Sequence, residues 1–286
     1  MSKVVFYPSE VAALLGRHRF KPKEEALVRV LSSIPKFRPA IAQYKKTTGA
    51  KTEREIVQDA PESVKTAIAT AVQAATASSS QSEIRSTINQ FQTSAASTLL
   101  KEALEGKAAS SDFSAAAKRI QAGTSTPEKE AATLSTSSVV TTLGREIQKQ
   151  RGTKLESVAE DNHVKPVTNR NTPVRYECDE YVLVGYIDGM EDDRVLETKN
   201  RKRLWKEIPE YDILQLRCYM KMRGEVDGVL LETFPGHPPR TTDIPWDDEE
   251  WDSIHDGLCE VVDEIGSLTQ ADLVRILQAG LTTKTD

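Results

Sequence analysis

The chain has 286 residues, of which 38% are hydrophobic, 28% charged and 6% aromatic, with a net charge of −5. That mixture excludes a collagen-like or wholly disordered chain, and no run approaches the roughly 18 to 20 apolar residues that span a bilayer. The opening residues MSKVVFYPSE lack the apolar segment of a secretory signal. Cys178, Cys218 and Cys259 are too few and too far apart for a disulfide framework, a CxxC metal site or a four-cysteine iron–sulfur cluster. The expectation is an intracellular protein of the cytoplasm or nucleus, with no membrane partner.

Residues 1–51 hold eleven Lys or Arg against three Glu, a balance of +8, so the other 235 residues carry −13. A basic arm on an acidic protein suits contact with nucleic acid or another anionic surface, and also occurs as a plain solvated face. The arm opens with a strand-like VVFY. A short helix follows, in which Ser9 is the expected N-cap, Val11, Leu14 and Leu15 fall at helical spacing, and Gly16 is the stop. A second amphipathic helix follows RHRFKPK.

Between 61 and 140 the composition changes: Ala, Ser and Thr fill 42 of 80 positions. Helices are expected near 62–78, 82–106 and 111–122, because Ala favours helix and Gly and Pro are scarce. Large apolar residues look too sparse for much of a core, so the segment reads as an inserted helical or partly disordered region, with a flexible linker as the alternative. From 143 the pattern becomes α/β. A helix near 143–162 is followed by strand candidates YECDEYVLVGYID and RVLETKN around the turn GMEDD. A helix near 207–223, the strand DGVLLETF and a helix near 247–265 complete a core around a mixed sheet. The expected parts are 1–58, 59–141 and 142–286.

The chemistry concentrates at Gly185-Tyr-Ile-Asp188 and Leu196-Glu197-Thr198-Lys199. Side chains repeat every second residue in a strand, so Glu197 and Lys199 share a face, and a hairpin brings Asp188 near Glu197. Two hard carboxylates make a site for Mg²⁺, with Mn²⁺ as a substitute, and the lysine can position water or offset phosphate charge. The same residues also suit an ordinary exposed hairpin, and this motif alone does not choose. Gly152 and Glu156 sit on the helix before Asp188; Gln215 and Tyr219, four apart on the helix after Lys199, share a face. Trp205 beside Arg201, Lys202 and Arg203 reads as either a rim residue or a base contact. The four histidines show no metal-ligand spacing. Asp247, Asp248, Glu249, Glu250 and Asp252 fit a helix N-terminus.

In this order, Ser9-Glu10-Val11, Gly152 to Glu156, Asp188, Glu197-Thr198-Lys199 and Gln215 resemble the lambda-type exonuclease, or YqaJ-like viral recombinase, family of the PD-(D/E)XK nucleases, over residues 7–30 and 143–266. The resemblance implies a restriction-endonuclease-like α/β core, a mixed central sheet flanked by helices, with the Ala/Ser/Thr-rich region inserted. It implies Glu156, Asp188, Glu197, Lys199 and Gln215 as catalytic, with Asp188, Glu197 and the Thr198 carbonyl as metal ligands. Ser9, Arg17, Arg19, Arg151, Arg201 and Tyr219 become candidate DNA contacts. Ile187 replaces the proline that many members carry before the aspartate. The arginine that grips a 5′ phosphate in the best-known relative lies upstream of its Ser-Glu-Val segment; here no arginine precedes Pro8, and Arg17 and Arg19 are the nearest substitutes.

The expected activity is therefore Mg²⁺-dependent hydrolysis of DNA, as a 5′–3′ exonuclease resecting duplex ends for recombination or replication. Alternatives are a structure-specific or nicking endonuclease with the same site, and a nuclease-fold module that binds DNA without cutting. The implied partners are double-stranded DNA with ends and a single-strand annealing or recombination protein, with a homotrimer suggested by the family alone.

Overall fold

The computed structural model describes residues 3–78, 80–107 and 110–281. Residues 79, 108 and 109 of the expected insertion, and 282–286 of the expected core, lie outside the described residues. In chain order the elements are β1 (Val4–Phe6), α1 (Pro8–Leu14), α2 (Lys23–Ser33), α3 (Arg38–Thr48), α4 (Glu53–Gln58), α5 (Glu62–Ala77), α6 (Gln81–Leu104), α7 (Ser111–Gln121), α8 (Pro127–Leu134) and α9 (Ser138–Asp161). There follow β2 (Val167–Thr168), β3 (Thr172–Glu177), β4 (Tyr181–Ile187), β5 (Gly189–Glu191), β6 (Arg194–Asn200), α10 (Glu210–Met222), β7 (Gly228–Phe234), β8 (His237–Ile244), α11 (Asp248–Ser267) and α12 (Gln270–Gly280). The chain forms two compact units, one of residues 3–44 with Glu156–Leu281, the other of Lys45–Leu155.

The second unit is helical, and it has the core that its composition argued against. Val64, Ile68, Ala71, Val72 and Ala75 make one stripe along α5 and meet Ile84, Ile88, Phe91 and Ala95 of α6 and Leu143 and Ile147 of α9. A second cluster joins Ala96, Leu100, Phe113, Ala116, Leu134 and Val140. Alanine explains the difference: a stripe of small side chains at i, i+4 spacing lets helices approach closely, so few large residues fill the space. The unit also recruits Ile56, Leu143 and Ile147 from outside 59–141, and its bounds run wider accordingly. Thr52 closes a capping box with Glu55, and Ser80 and Thr126 cap α6 and α8. Glu130 accepts from Arg119 at 2.8 and 2.7 Å, and that grip, with Ser125, holds its carboxyl down at about 2.

The first unit carries two sheets. One has the order β1-β4-β3, with β1 parallel and β3 antiparallel to β4; the other has the order β2-β5-β6-β7-β8. In the larger sheet β6 and β7 are parallel while the other pairs are antiparallel, so the sheet is mixed. Helices cover both of its faces. Val195 and Leu230 pack on Leu216, Tyr219 and Met220 of α10, while Leu196, Val229 and Leu231 pack toward Ala159 at the end of α9. This is the α/β arrangement expected from the sequence, in the order helix, strands, helix, strand, helix, and the structure makes β5–β6 the antiparallel pair and β6–β7 the parallel one.

Several local expectations change. Helix α1 starts at Pro8 with Tyr7 as N-cap and no side-chain cap, because proline pre-sets the first helical φ; Ser9 lies exposed within the first turn. Gly16 does end that helix, at φ +71°. The run 176–188 is two strands split by a turn at 178–180, and the GMEDD turn contains β5. Strand β8 was hidden by Pro238 and Pro239, which an edge strand tolerates.

Two measurements test this account. Residues 45–155 expressed alone should unfold cooperatively with a helical signal, and Phe113→Ala, which empties a side chain 1% exposed, should cost about 3–5 kcal/mol in denaturant titration. The second concerns Glu191 of β5, whose carboxylate is 2% exposed. Burial opposes its charge, but Lys165 at 2.9 Å, His163 at 2.6 Å and Arg194 hold its carboxyl down at about 2. A lowered folded pKa stabilises above the unfolded value, about 4.3, and is lost as pH falls toward 2. Glu191→Gln should therefore lose about 1–3 kcal/mol near pH 7 and show a shallower loss of stability across that acid window.

Candidate active site

Asp188 stands where the chain leaves one sheet for the other. Ile187 ends β4, paired with Thr172, and Gly189 begins β5, paired with Leu196. Continuing the β5–β6 register sets Asp188 opposite Glu197. The Asp188 side chain fills the ladder there, its Oδ2 accepting the Thr198 backbone N–H at 2.7 Å. Gly185, three residues earlier, is required by a neighbour: a Cβ there would lie 2.9 Å from the Tyr219 ring.

The period of β6 turns Glu197 and Lys199 toward α10, where Gln215 completes a closed triangle. Lys199 Nζ donates to Glu197 Oε1 at 2.6 Å and to Gln215 Oε1 at 3.1 Å, while Gln215 Nε2 donates to Glu197 Oε1 at 2.7 Å. Glu197 Oε2 is buried and has no hydrogen-bond partner. Asp212, one turn before Gln215, has Oδ1 3.8 Å from Lys199 and Oδ2 2.8 Å from Arg201. Arg201 also pairs at 2.8 Å with Glu232, the register partner of Lys199 on β7, and Glu232 binds Arg240 at 2.6 Å.

From the opposite face, the last turns of α9 bring Glu156 and Glu160 toward Asp188. Burial, then the charge of Asp188, pushes the Glu156 carboxyl up to about 7 and raises that of Glu160. Burial raises Asp188, partly offset by the Thr198 N–H and by Lys199. Burial pushes Glu197 up to about 8 against the pull of Lys199. Burial opposes the charge on Lys199, but Glu197 and Asp212 outweigh it and keep the ammonium protonated. The cluster thus holds four carboxyls that resist ionising together, with one ammonium among them.

A divalent cation fits this arrangement. The unpartnered Glu197 Oε2 and the Asp188 carboxylate are hard oxygen donors, and Mg²⁺ characteristically takes one or two carboxylates and keeps several waters. Thr198 contributes its N–H to Asp188, which orients that carboxylate.

The remaining candidates scatter. Arg17 is engaged by Glu210 at 2.7 Å and Glu250 at 3.6 Å. Three expected DNA contacts are buried. Arg151 is 7% exposed and donates to the Ala75 carbonyl inside the second unit; Arg201 lies in the Asp212–Glu232 network; Tyr219 is packed in the core of the first unit. Arg19 is exposed over the Phe20 ring, at 5.4 Å, and Arg203 lies 5.4 Å from the Trp205 ring. Phe20 meets Trp205 edge-on at 6.3 Å, and His18 stacks on Tyr211, next to Asp212, at 4.3 Å. The sequence reading missed Glu160, Asp212 and Glu232. The first two carry a usable signal, being four residues after Glu156 and three before Gln215 on the same helices. Glu232 has none, since only strand pairing brings it to Lys199.

No family model matches the chain, and no curated protein does. Solved structures similar to it include an alkaline exonuclease from Laribacter hongkongensis, 18% identical, with 46% of this chain and 73% of that one covered at a TM-score of 0.36. Another is SSO0001, 20% identical, with 59% and 86% covered at a TM-score of 0.30.

Crowded carboxylates predict a trade between stability and cation binding. Asp188→Asn keeps an acceptor for the Thr198 N–H and removes one of the like charges. Without metal it should melt above the parent protein, by about 1–2 kcal/mol at pH 8. Mg²⁺ should raise the melting temperature of the parent protein and leave the variant's unchanged.

Proposed function

We propose that this chain is a divalent-cation-dependent deoxyribonuclease that hydrolyses phosphodiester bonds at duplex ends, in the 5′–3′ sense, using Mg²⁺ or Mn²⁺. The observation that carries the reading is the buried, unpartnered Glu197 Oε2 beside Asp188, with its twin oxygen locked by Lys199 and Gln215. When bound at Asp188 and Glu197, the cation would polarise the scissile phosphate and acidify an attacking water. Thr198 would be a further ligand through its carbonyl.

The chain's own groups supply the rest. Lys199 stays charged among carboxylates and offsets negative charge developing on the phosphate oxygens. Gln215 holds both the Lys199 ammonium and Glu197, so it fixes the angle between the proposed ligand and the group that offsets phosphate charge. Glu156, with its carboxyl near 7, is matched to accept a proton from water near neutral pH. Arg19 and Arg203, each over an aromatic ring, pair backbone charge with faces on which bases stack, and the basic first 51 residues add attraction to phosphate.

Arg17 favours a second reading, because its engagement by Glu210 and Glu250 leaves the expected grip on a terminal phosphate already occupied by carboxylates. Under that reading the same site nicks within a duplex. A time course with Mg²⁺ on a linear duplex and on a covalently closed circle of the same sequence separates the two. Nucleotide release from the linear form with the circle intact supports exonuclease action; nicking of the circle at a comparable rate supports the second reading. Lys199→Ala should lower the cleavage rate at least about 10²-fold with DNA affinity within a few-fold of the parent. Ca²⁺ should support binding without hydrolysis. Unimpaired cleavage by Lys199→Ala would remove the assignment.

A further inference from the structure

Helix α11 and the turn between β3 and β4 bring together three side chains that the nuclease site does not use. His255 and Cys259 are four apart and share one face of α11, with His255 Nε2 3.8 Å from Cys259 Sγ. Glu180, exposed in the turn, offers a carboxylate oxygen, and the three ligand atoms all lie within 4.8 Å of one another. We propose that His255 Nε2, the Cys259 thiolate and a Glu180 carboxylate oxygen bind one Zn²⁺ ion, with water as the fourth ligand.

The donor set is the first argument. Imidazole nitrogen, thiolate sulfur and one carboxylate oxygen suit a borderline-soft cation and are a poor match for Mg²⁺ or Ca²⁺. Spacing is the second. Tetrahedral bonds of roughly 2.0–2.3 Å separate neighbouring ligands by about 3.5 Å, so the His–Cys pair is almost at that separation and the carboxylate needs only a small approach. Orientation is the third. Tyr181 Oη lies 2.9 Å from His255 Nδ1, which fixes the ring with its other nitrogen toward Cys259, the arrangement of a zinc-bound histidine steadied from behind. Cys178 is nearby, but its Sγ faces the Tyr181 carbonyl at 3.6 Å.

This site is separate from the nuclease centre. Tyr181 begins β4 and Asp188 follows its end, so seven residues of strand at roughly 3.3 Å each set the two about 20 Å apart. The ion would tie α11 to the start of the strand whose far end delivers Asp188. Its role is to brace that strand, and the proposal stands whether or not the chain cleaves DNA.

Co²⁺ is the probe, added to the full chain after reduction and chelator stripping, because a cobalt–thiolate bond gives a charge-transfer absorption that oxygen-only sites lack. One equivalent should give that band, and Zn²⁺ should abolish it. Asp188→Asn and Cys178→Ser should keep it. Cys259→Ser and His255→Ala should lose it and bind Zn²⁺ at least about 100-fold more weakly. Glu180→Gln, at an exposed turn and safe for folding, should weaken Zn²⁺ binding about tenfold. No band in the parent chain, a band that survives Cys259→Ser or is lost with Cys178→Ser, or unchanged Zn²⁺ affinity in Glu180→Gln would each overturn the assignment.

Discussion

The hydrogen bond from the Thr198 backbone N–H to the Asp188 carboxylate fixes the geometry on which the site depends. Up to Ile187 the chain belongs to a three-stranded sheet, and from Gly189 it belongs to a five-stranded one. At such a transfer the backbone ladder is interrupted, and a buried N–H left unmatched costs about 1–3 kcal/mol. The aspartate supplies the missing acceptor with its side chain. It is thereby held opposite Glu197 by the same interaction that makes the transfer tolerable, so carboxylate placement and strand switching are one constraint.

Charge is arranged around that point in two layers. On the α10 side, Lys199 and Gln215 saturate one oxygen of Glu197 and leave the other free. Behind them Arg201 draws Asp212 to 2.8 Å, while Lys199 stands 3.8 Å from the same carboxylate and only 2.6 Å from Glu197. The arginine network thus biases the ammonium toward the candidate ligand. On the α9 side, Glu156 and Glu160 add two more acids, both raised by burial and by Asp188, with Arg170 3.6 Å from Glu160 as a partial offset. Carboxylates packed this way oppose folding unless protonated or bound to a cation, which is the usual form of a site that sacrifices stability for function.

The helical unit of Lys45–Leu155 rests on a different economy of packing. Its apolar stripes alternate large residues such as Ile68, Ile88 and Phe91 with alanines, and Arg119–Glu130 pins a helix pair with two parallel hydrogen bonds. Its core depends on Ile56 and on Leu143 and Ile147, which flank the Ala/Ser/Thr-rich stretch on either side.

Periodicity and residue chemistry determined much of this protein from the sequence alone. The helices near 62–78, 82–106 and 111–122, the strands RVLETKN and DGVLLETF, and the approach of Asp188 to Glu197 and Lys199 follow from local repeat lengths of 3.6 and 2 and from one hairpin, while the place of Gln215 beside them was implied only by the family resemblance. Tertiary structure decided the rest, because it depends on pairings between distant residues. Burial turned Arg151, Arg201 and Tyr219 inward, although their residue types suit a DNA surface. Parallel pairing of β6 and β7 brought Glu232 to Lys199, an alanine stripe became a core only once a second helix faced it, and Glu180 met His255 and Cys259 across 75 and 79 residues of chain. A sequence records which side chains share a strand or helix face; which faces meet is settled by the packing of the whole chain, and that is where a site's neighbours are chosen.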